Sequence, residues 1–419
     1  MKVLHISYSD AFDGASIAAY RLHKSLREKG IDSRLIVMKK NTNDKDVICI
    51  SNQYRNILRR VVGYAIIKKY KKRDKSRLFS PACIPFRGIR TIVNKEKPDI
   101  VHLHWICGGM LSLGQLQKIG RKAPLVFTMH DNWLYSGGCH VHLQCNNYKT
   151  KCGNCPILNS KYSNDLSSKI FIKKAQVFLA IKKYSIIGVS SWISNDAKLS
   201  PILNKENIKT VANPINIGVF KPVNKAEARE KLKLPENKKL ILFGAVNPLS
   251  DKNKGYDILT KVLGILHNKE LELVIFGNKQ RVDNINGYTV HTMGFITDVQ
   301  LLCEIYSACD VMLVPSYQEA FGQTAVESMA CGTPVVAFGY SGLLDIIDHK
   351  INGYLAKPYD AIDFANGITW VINNTSHFEL SKNARKKVEN EFAETIVANK
   401  IISIYNDCLI KYKENIYEK

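Results

Sequence analysis

The chain has 419 residues, a formal net charge of +23, 45% hydrophobic residues and 23% charged ones. That composition is globular and the length exceeds one ordinary core, so two domains of about 200 residues are expected. No run of about 18 apolar residues is present to cross a bilayer, and polar positions in "MKVLHISYSD" break the apolar stretch that a cleaved secretion signal needs, so a cytoplasmic location is expected. The excess of Lys and Arg calls for an acidic partner: a phosphate-bearing substrate, an anionic membrane or nucleic acid.

In chain order, "KVLHIS" reads as a strand, and Asp13-Gly14-Ala15 opens a helix carrying Ile17, Leu22 and Leu26. Gly14 either lets the backbone approach a phosphate-type ligand at a helix N-terminus or makes an ordinary turn. The DxD Asp44-Lys45-Asp46 falls in a polar loop and is expected to be solvated. From Arg55 to Arg77, ten basic residues interleave with Ile57, Leu58, Val61, Val62, Ile66 and Ile67, opposed only by Asp74. This pattern fits an anionic membrane surface, the alternative being a solvated helix packed by its apolar side.

Further strands are expected at "SRLIVM", "DIVHLHW", "PLVFTMH" and "SIIGVS". His102 and His104 share a strand face by alternation and either line a cleft or make a metal-binding HxH. His130 follows a strand, where open α/β sheets gather their ligands. A sugar hydroxyl suits it there, with Asp131 fixing its tautomer or the turn, although single histidines are commonly structural. An insert at 137–158 carries Cys139, Cys145, Cys152 and Cys155 beside His140 and His142, the ligand types of a structural zinc site. In a reducing compartment metal is favoured over disulfides, and a loop of reduced thiols is the alternative. Cysteines 83, 107, 303, 309, 331 and 408 are expected to act as small hydrophobes.

Pro201, Pro214 and Pro222 punctuate a polar stretch, which places a linker at 206–220 between domains at 1–205 and 221–390. The second apolar series is "KLILFGAV", "LELVIFG", "DVMLVPS" and "TPVVAF". Lys252 and Lys254 follow its first strand, and Lys254-Gly255 leads into a helix near Tyr256. An ammonium there would neutralise a diphosphate, or be a solvated loop lysine. In "EAFGQTAVE", Val311 to Pro315 reads as a strand and Thr324 to Ala330 as a helix closed by Gly332. The turn between them aims N–H groups at an anion. Glu319 and Glu327 would repel a phosphate and accept from hydroxyls instead, which implies a ligand part phosphate and part sugar; a plain helix N-terminus with Glu327 on a solvated face is the alternative. Residues 391–419 read as a helix ending in charge. The expected fold is two doubly wound, Rossmann-like α/β domains facing across a cleft.

Taken together, Glu319-x7-Glu327 with Phe321-Gly322 inside it, "ESMACGTPVVA", Lys254-Gly255, the Gly14 loop, "HDNW" at 130–133 and "NPINIGVFKP" resemble the family-4 retaining glycosyltransferases of the GT-B fold. The resemblance covers most of the chain and is strongest over 239–345. The Cys-rich insert is similar to that of a bacterial subgroup building surface polysaccharides, colanic-acid-type transferases included. The resemblance implies that Glu327 binds the ribose and Glu319 the donor sugar. It further implies that the backbone from Phe321 through Gly322 and Gln323 to Thr324, with Gly14, holds the diphosphate. Lys254 would balance the leaving charge, His130 would hydrogen-bond the transferred sugar, and the last helix would return to the first domain. The family usually carries an Arg about five residues before the Lys; here "NPLSDKN" offers Lys252, which lacks the guanidinium fork.

The function implied is retaining transfer of a hexose-type sugar from a UDP- or GDP-linked donor to a hydroxyl of a growing, lipid-linked surface polysaccharide, such as O-antigen or exopolysaccharide. It would proceed on the inner face of the cell membrane, with no cofactor required for catalysis and no nucleic acid bound. Two other readings stand beside it: a metal-dependent hydrolase using His102, His104 and His130, and a basic nucleic-acid-binding protein.

Overall fold

In the computed structural model, which describes residues 1–11, 13–50, 61, 65–70, 72–74, 78–82, 87–181, 184–277 and 280–417, the apolar runs assemble into two sheets. The first contains β1 (Lys2–Ser9), β2 (Asp32–Lys39), β3 (Val47–Cys49), β4 (Ile100–Leu103), β5 (Leu125–Met129), β6 (Tyr184–Gly188) and β7 (Ile208–Thr210). Its order is β3-β2-β1-β4-β5-β6-β7, with every neighbour parallel. The second contains β8 (Lys239–Gly244), β9 (Leu271–Phe276), β10 (Asn284–Ile285), β11 (Tyr288–Gly294), β12 (Val311–Val314), β13 (Val335–Phe338) and β14 (Gly353–Ala356). Its order is β10-β11-β9-β8-β12-β13-β14, parallel except for the β10–β11 hairpin. Helices connect the strands, so the central ones are covered on both faces; β4, β5, β12 and β13 are buried at every position.

Both sheets are doubly wound, as expected. The chain steps outward from β1 to β3 and then returns to β4; likewise it steps from β8 to β11 and returns to β12. The loops after the two strands flanking each reversal diverge, and ligands of open α/β sheets bind there. Those loops follow β1 and β4 in the first sheet and β8 and β12 in the second, and the residue after β5, His130, lies one strand further out.

The chain divides into two compact units, Met1–Ala212 with Val397–Lys419, and Asn213–Ile396. The stretch 206–220 is not a free linker: β7 lies in the first sheet, and Ile215 bridges Ala393 within the second unit. The helix Glu394–Tyr417 supplies the first unit from Val397 onward, where Ile401 and Tyr405 pack with Val3, Leu26 and Ile100. In the second unit the buried Arg229 donates to Asp310 Oδ2 at 2.9 Å and to the carbonyls of Ala308 and Glu236. Among the described residues, no helix is long and apolar enough to cross a membrane. Most of the basic stretch 55–77 lies outside the described residues, as does Cys83.

The DxD departs from expectation. Asp44 accepts from the Tyr20 hydroxyl at 3.3 Å, and Asp46 pairs with Arg27. Lys40 Nζ donates to the Asp44 and Val47 carbonyls. The acids hold the β2–β3 loop to the first helix rather than facing water, because each has a cation or hydroxyl within reach.

Candidate active site

In the second unit, the loops after β8 and β12 are locked together. Asp251 Oδ1 accepts from Asn253 N at 2.9 Å, which shapes a short turn over Lys252–Lys254. Gly255 closes that turn at φ +73°, and a Cβ there would stand 2.0 Å from the Pro315 carbonyl oxygen, so only glycine lets the two loops meet. Asn253 ties them further: its Nδ2 donates to the Gln318 carbonyl at 2.7 Å, and its own carbonyl accepts from Tyr317 N at 2.9 Å.

The lock brings Lys254 Nζ to 2.8 Å from Glu319 Oε1. Burial works to lower the Lys254 pKa, but the Glu319 carboxylate outweighs it and the pKa is raised, so the ammonium persists at neutral pH. Lys252 is exposed and stands outside this pair. Two residues past Glu319, Phe321 is buried and Gly322 sits at φ +123°, where a Cβ would press Leu343 at 2.9 Å. The helix Gln323–Ala330 starts there, one residue earlier than expected, with Gly322 bringing no side chain to its N-terminus. Its first N–H groups supply partial positive charge suited to a phosphate. Glu327, one turn on, is buried rather than on a solvated face and accepts from the Tyr306 hydroxyl at 3.0 Å. Lys254 and Glu319 thus meet directly, two residues before the turn at Phe321 and Gly322, and Glu327 lies one turn into the helix that follows.

The first unit is built differently. Gly14 does open a helix, Gly14–Glu28, but the Asp13 carboxylate caps it by accepting from Ser16 N at 2.8 Å. An anion there would meet a negative charge already in place. Beside this helix, His5 of β1 pairs in register with His102 of β4. His102 Nδ1 meets the Tyr405 hydroxyl at 2.6 Å and its Nε2 meets Thr128 Oγ1 at 2.7 Å. His104 lies 3.0 Å from His5 Nδ1 on one side and 3.1 Å from His130 Nε2 on the other. Burial drives His102 down to about 3 and His130 to about 4, and carries His5 and His104 well below the ordinary value.

His5, His102 and His104 have ring nitrogens within 4.8 Å of one another, the one such group among the described residues. Both nitrogens of His102 and both of His104 are already hydrogen-bonded, so the cluster reads as a polar network rather than a set of lone pairs awaiting a metal. Asp131, placed beside His130 in sequence, serves the turn: it accepts from Trp133 N at 2.8 Å and holds His140 Nδ1 at 2.6 Å and Trp105 Nε1 at 3.0 Å. The ring partner of His130 is His104.

The insert and the turn that leads into it are held by two residues that the sequence did not single out. Asp196 accepts from His142 Nε2 at 2.6 Å, from the Tyr135 hydroxyl at 2.7 Å and from Tyr148. Lys174, fully buried, donates to the Ser136 carbonyl at 2.8 Å and to that of Trp133, and burial lowers its pKa to about 8. Nothing in the local sequence marks either one, since their partners come from elements far along the chain. Cys139, Cys145, Cys152 and Cys155 line one pocket with His142. Burial raises the Cys139 thiol to about 12, and its neighbours Cys155 and Cys145 add to the rise.

Two family models match the chain: "Glycosyltransferase Family 4" over 12–217 and "Glycosyl transferases group 1" over 224–390. The chain is a GT-B glycosyltransferase of the group 1, family 4-like kind. This glycosyltransferase is 24% identical over 379 residues to the D-inositol 3-phosphate glycosyltransferase of Thermobispora bispora, covering 83% of this chain and 80% of that one. Its fold matches sucrose-phosphate synthase from Thermosynechococcus elongatus at a TM-score of 0.68, with 19% identity over 98% of this chain and 99% of that one. It also matches Anabaena HepE in complex with UDP-glucose at 0.66, with 16% identity over 97% and 100%. The hydrolase reading gives way because His104 is hydrogen-bonded to His130 and His102 to Tyr405 and Thr128, and the nucleic-acid reading gives way to a family of sugar transferases.

Proposed function

We propose that this glycosyltransferase moves a hexose-type sugar from a nucleotide diphosphate donor to a hydroxyl of a growing, lipid-linked surface glycan, with retention at the anomeric carbon. The observation that carries this reading is the Lys254–Glu319 pair at 2.8 Å beside the helix N-terminus at Gly322. A pyrophosphate needs a fixed cation and N–H dipoles as it departs, more than it needs a strong base. Lys254 takes the charge of the leaving diphosphate, and the backbone from Phe321 through Gln323 to Thr324 cradles it. Glu319 then turns to the hydroxyls of the sugar. Glu327, held by Tyr306, receives the ribose hydroxyls, and His130 meets the transferred sugar. Gly14 contributes backbone alone, because Asp13 occupies its helix end.

A uridine donor is supported by Anabaena HepE, whose matching structure is a complex with UDP-glucose. The name of the Thermobispora bispora relative points to a small phosphorylated acceptor. The lipid-linked acceptor and the colanic-acid-like subgroup rest on the basic stretch at 55–77 and on the Cys-rich insert. No metal takes part in the transfer in this scheme; Cys139, Cys145, Cys152 and Cys155 line one pocket with His142, and they would hold a structural zinc once their thiols, which do not lie within 4.8 Å of one another as a group of three, drew together.

Calorimetry with UDP-glucose, GDP-mannose and their nucleotides tests the donor half. Binding of at least one is expected, and Glu327→Ala should weaken it about tenfold or more; equal affinity in the variant removes the ribose assignment. Removing residues 55–77 should release the protein from anionic phospholipid vesicles in a sedimentation assay. Retention on the vesicles would separate the acceptor from the membrane.

A further inference from the structure

His5 of β1, His104 just after β4 and His130 just after β5 form a ladder, joined by the contacts of 3.0 and 3.1 Å described above. All three are neutral at pH 7 because burial lowers their pKa values. A neutral imidazole carries one N–H, so both contacts are hydrogen bonds only when His104 donates through one ring nitrogen and accepts through the other. Two arrangements satisfy this. In the first, His5 donates to His104 and His104 to His130, which forces the His130 proton onto Nδ1. In the second every bond reverses: His130 donates through Nε2, its Nδ1 is bare, and the His5 proton sits on Nε2.

His5 Nε2 and His130 Nδ1 are both buried with no hydrogen-bond partner, so the arrangements differ in which end carries the unpaired N–H. An unpaired buried N–H costs more than an unused acceptor. His5 is wholly enclosed at 0% exposure, whereas His130 is partly exposed, and the Asp131 charge favours positive character on its ring. The first arrangement therefore places the unpaired donor on the residue that is partly exposed and lines a pocket with Trp105 and Asp131, although Nδ1 itself is covered there. His102 stands outside the ladder, committed to Tyr405 and Thr128.

We propose that His5 and His104 are positioning residues that lock His130 as its Nδ1–H tautomer, so that His130 presents a hydrogen-bond donor to an oxygen of its ligand. The lock is a property of the protein alone; the identity of that oxygen as a sugar oxygen rests on the transferase reading above.

The test is a long-range proton–nitrogen correlation spectrum of the full-length, histidine-labelled protein without nucleotide, with His130 assigned by the loss of its signals in His130→Gln. A protonated Nδ1 and a bare Nε2 are expected, and the opposite pattern overturns the proposal whether or not the His5 variants fold. His5→Phe removes the first donor and should leave His130 a mixture of tautomers. His5→Asn should restore Nδ1–H, because the reversed ladder would strand both amide N–H groups. A His130 signal unmoved by His5→Phe overturns the lock. Under the transferase reading, His5→Phe also lowers kcat about tenfold with the donor KM within about twofold, and His5→Asn recovers it. An altered tautomer with unchanged kcat overturns the ligand half alone, whereas loss of nucleotide-sugar binding in the Glu327→Ala experiment concerns the transferase reading and leaves the lock standing.

Discussion

Burial by itself would lower the pKa of Lys254, and the Glu319 carboxylate reverses the sign. Replacing Lys254 with Met should therefore lower kcat by about 10²- to 10³-fold, the range lost when one fixed charge-stabilising group is removed from a transfer site. Met leaves the Glu319 carboxylate unpaired and should lower the thermal midpoint modestly, so kcat is read below that midpoint, where the chain is folded; a kcat within threefold of wild type would remove Lys254 from the leaving-group role. The bracketing of a small turn by two acids was readable in sequence, because strand, turn and helix are local. That Glu319 would be found on Lys254, and Glu327 under the Tyr306 hydroxyl, was not, since both partners come from other elements. The same limit hid Asp196 and Lys174, single polar residues whose importance lies in what surrounds them.

Among the elements, the loop after β8 is held in shape by one glycine. Gly255→Ala puts a Cβ against the Pro315 carbonyl at a positive φ, and it should cost about 2 kcal/mol or more in urea unfolding as well as weakening donor binding. The pair beneath the second sheet is similarly exacting. Asp310→Asn leaves the buried Arg229 without its counter-charge and should destabilise the protein by about 3 kcal/mol. For the insert, metal analysis of the purified chain should find about one zinc per molecule, lost in Cys152→Ser; a metal-free wild type would leave the four thiols as a reduced cluster. The fully buried strands were legible as apolar runs, β4, β12 and β13 among them at four residues each, whereas β3, β7, β10, β11 and β14 were not, β11 and β14 because they are only partly buried. The two- and three-residue runs of β3, β7 and β10 carry too little pattern to stand out from loops, and the stretch 206–220, which holds β7, reads as a linker in sequence for that reason.

At the scale of the molecule, five histidines of the first unit, His5, His23, His102, His104 and His130, are held neutral by burial, with His23 and His130 near 4 and His102 near 3. In the unfolded chain each would titrate near about 6.5. Between those values the unfolded state binds more protons, so stability is complete above about pH 6.5 and falls as pH drops toward the folded values. Urea midpoints should decline steeply from pH 6.5 to 4, and His23→Gln should make that decline shallower by up to about 1.4 kcal/mol per pH unit. A flat profile across that window would show the histidines to be hydrated. The depressed carboxylates of Asp10, Asp131 and Asp196 contribute the opposite charge, and their loss falls at lower pH.

The sequence by itself determined the two-sheet architecture, because parallel strands covered on both faces are apolar throughout and many of the connecting helices open with a capping Asp, Asn or Ser. It also marked the turn at Gly322, whose N–H groups are local. Only the tertiary structure decided which polar groups meet. His5 and His104 are 99 positions apart, and it is the order β1-β4-β5 that stacks them with His130. Contacts of that kind leave no period along a chain, since they are fixed by which strand lies beside which.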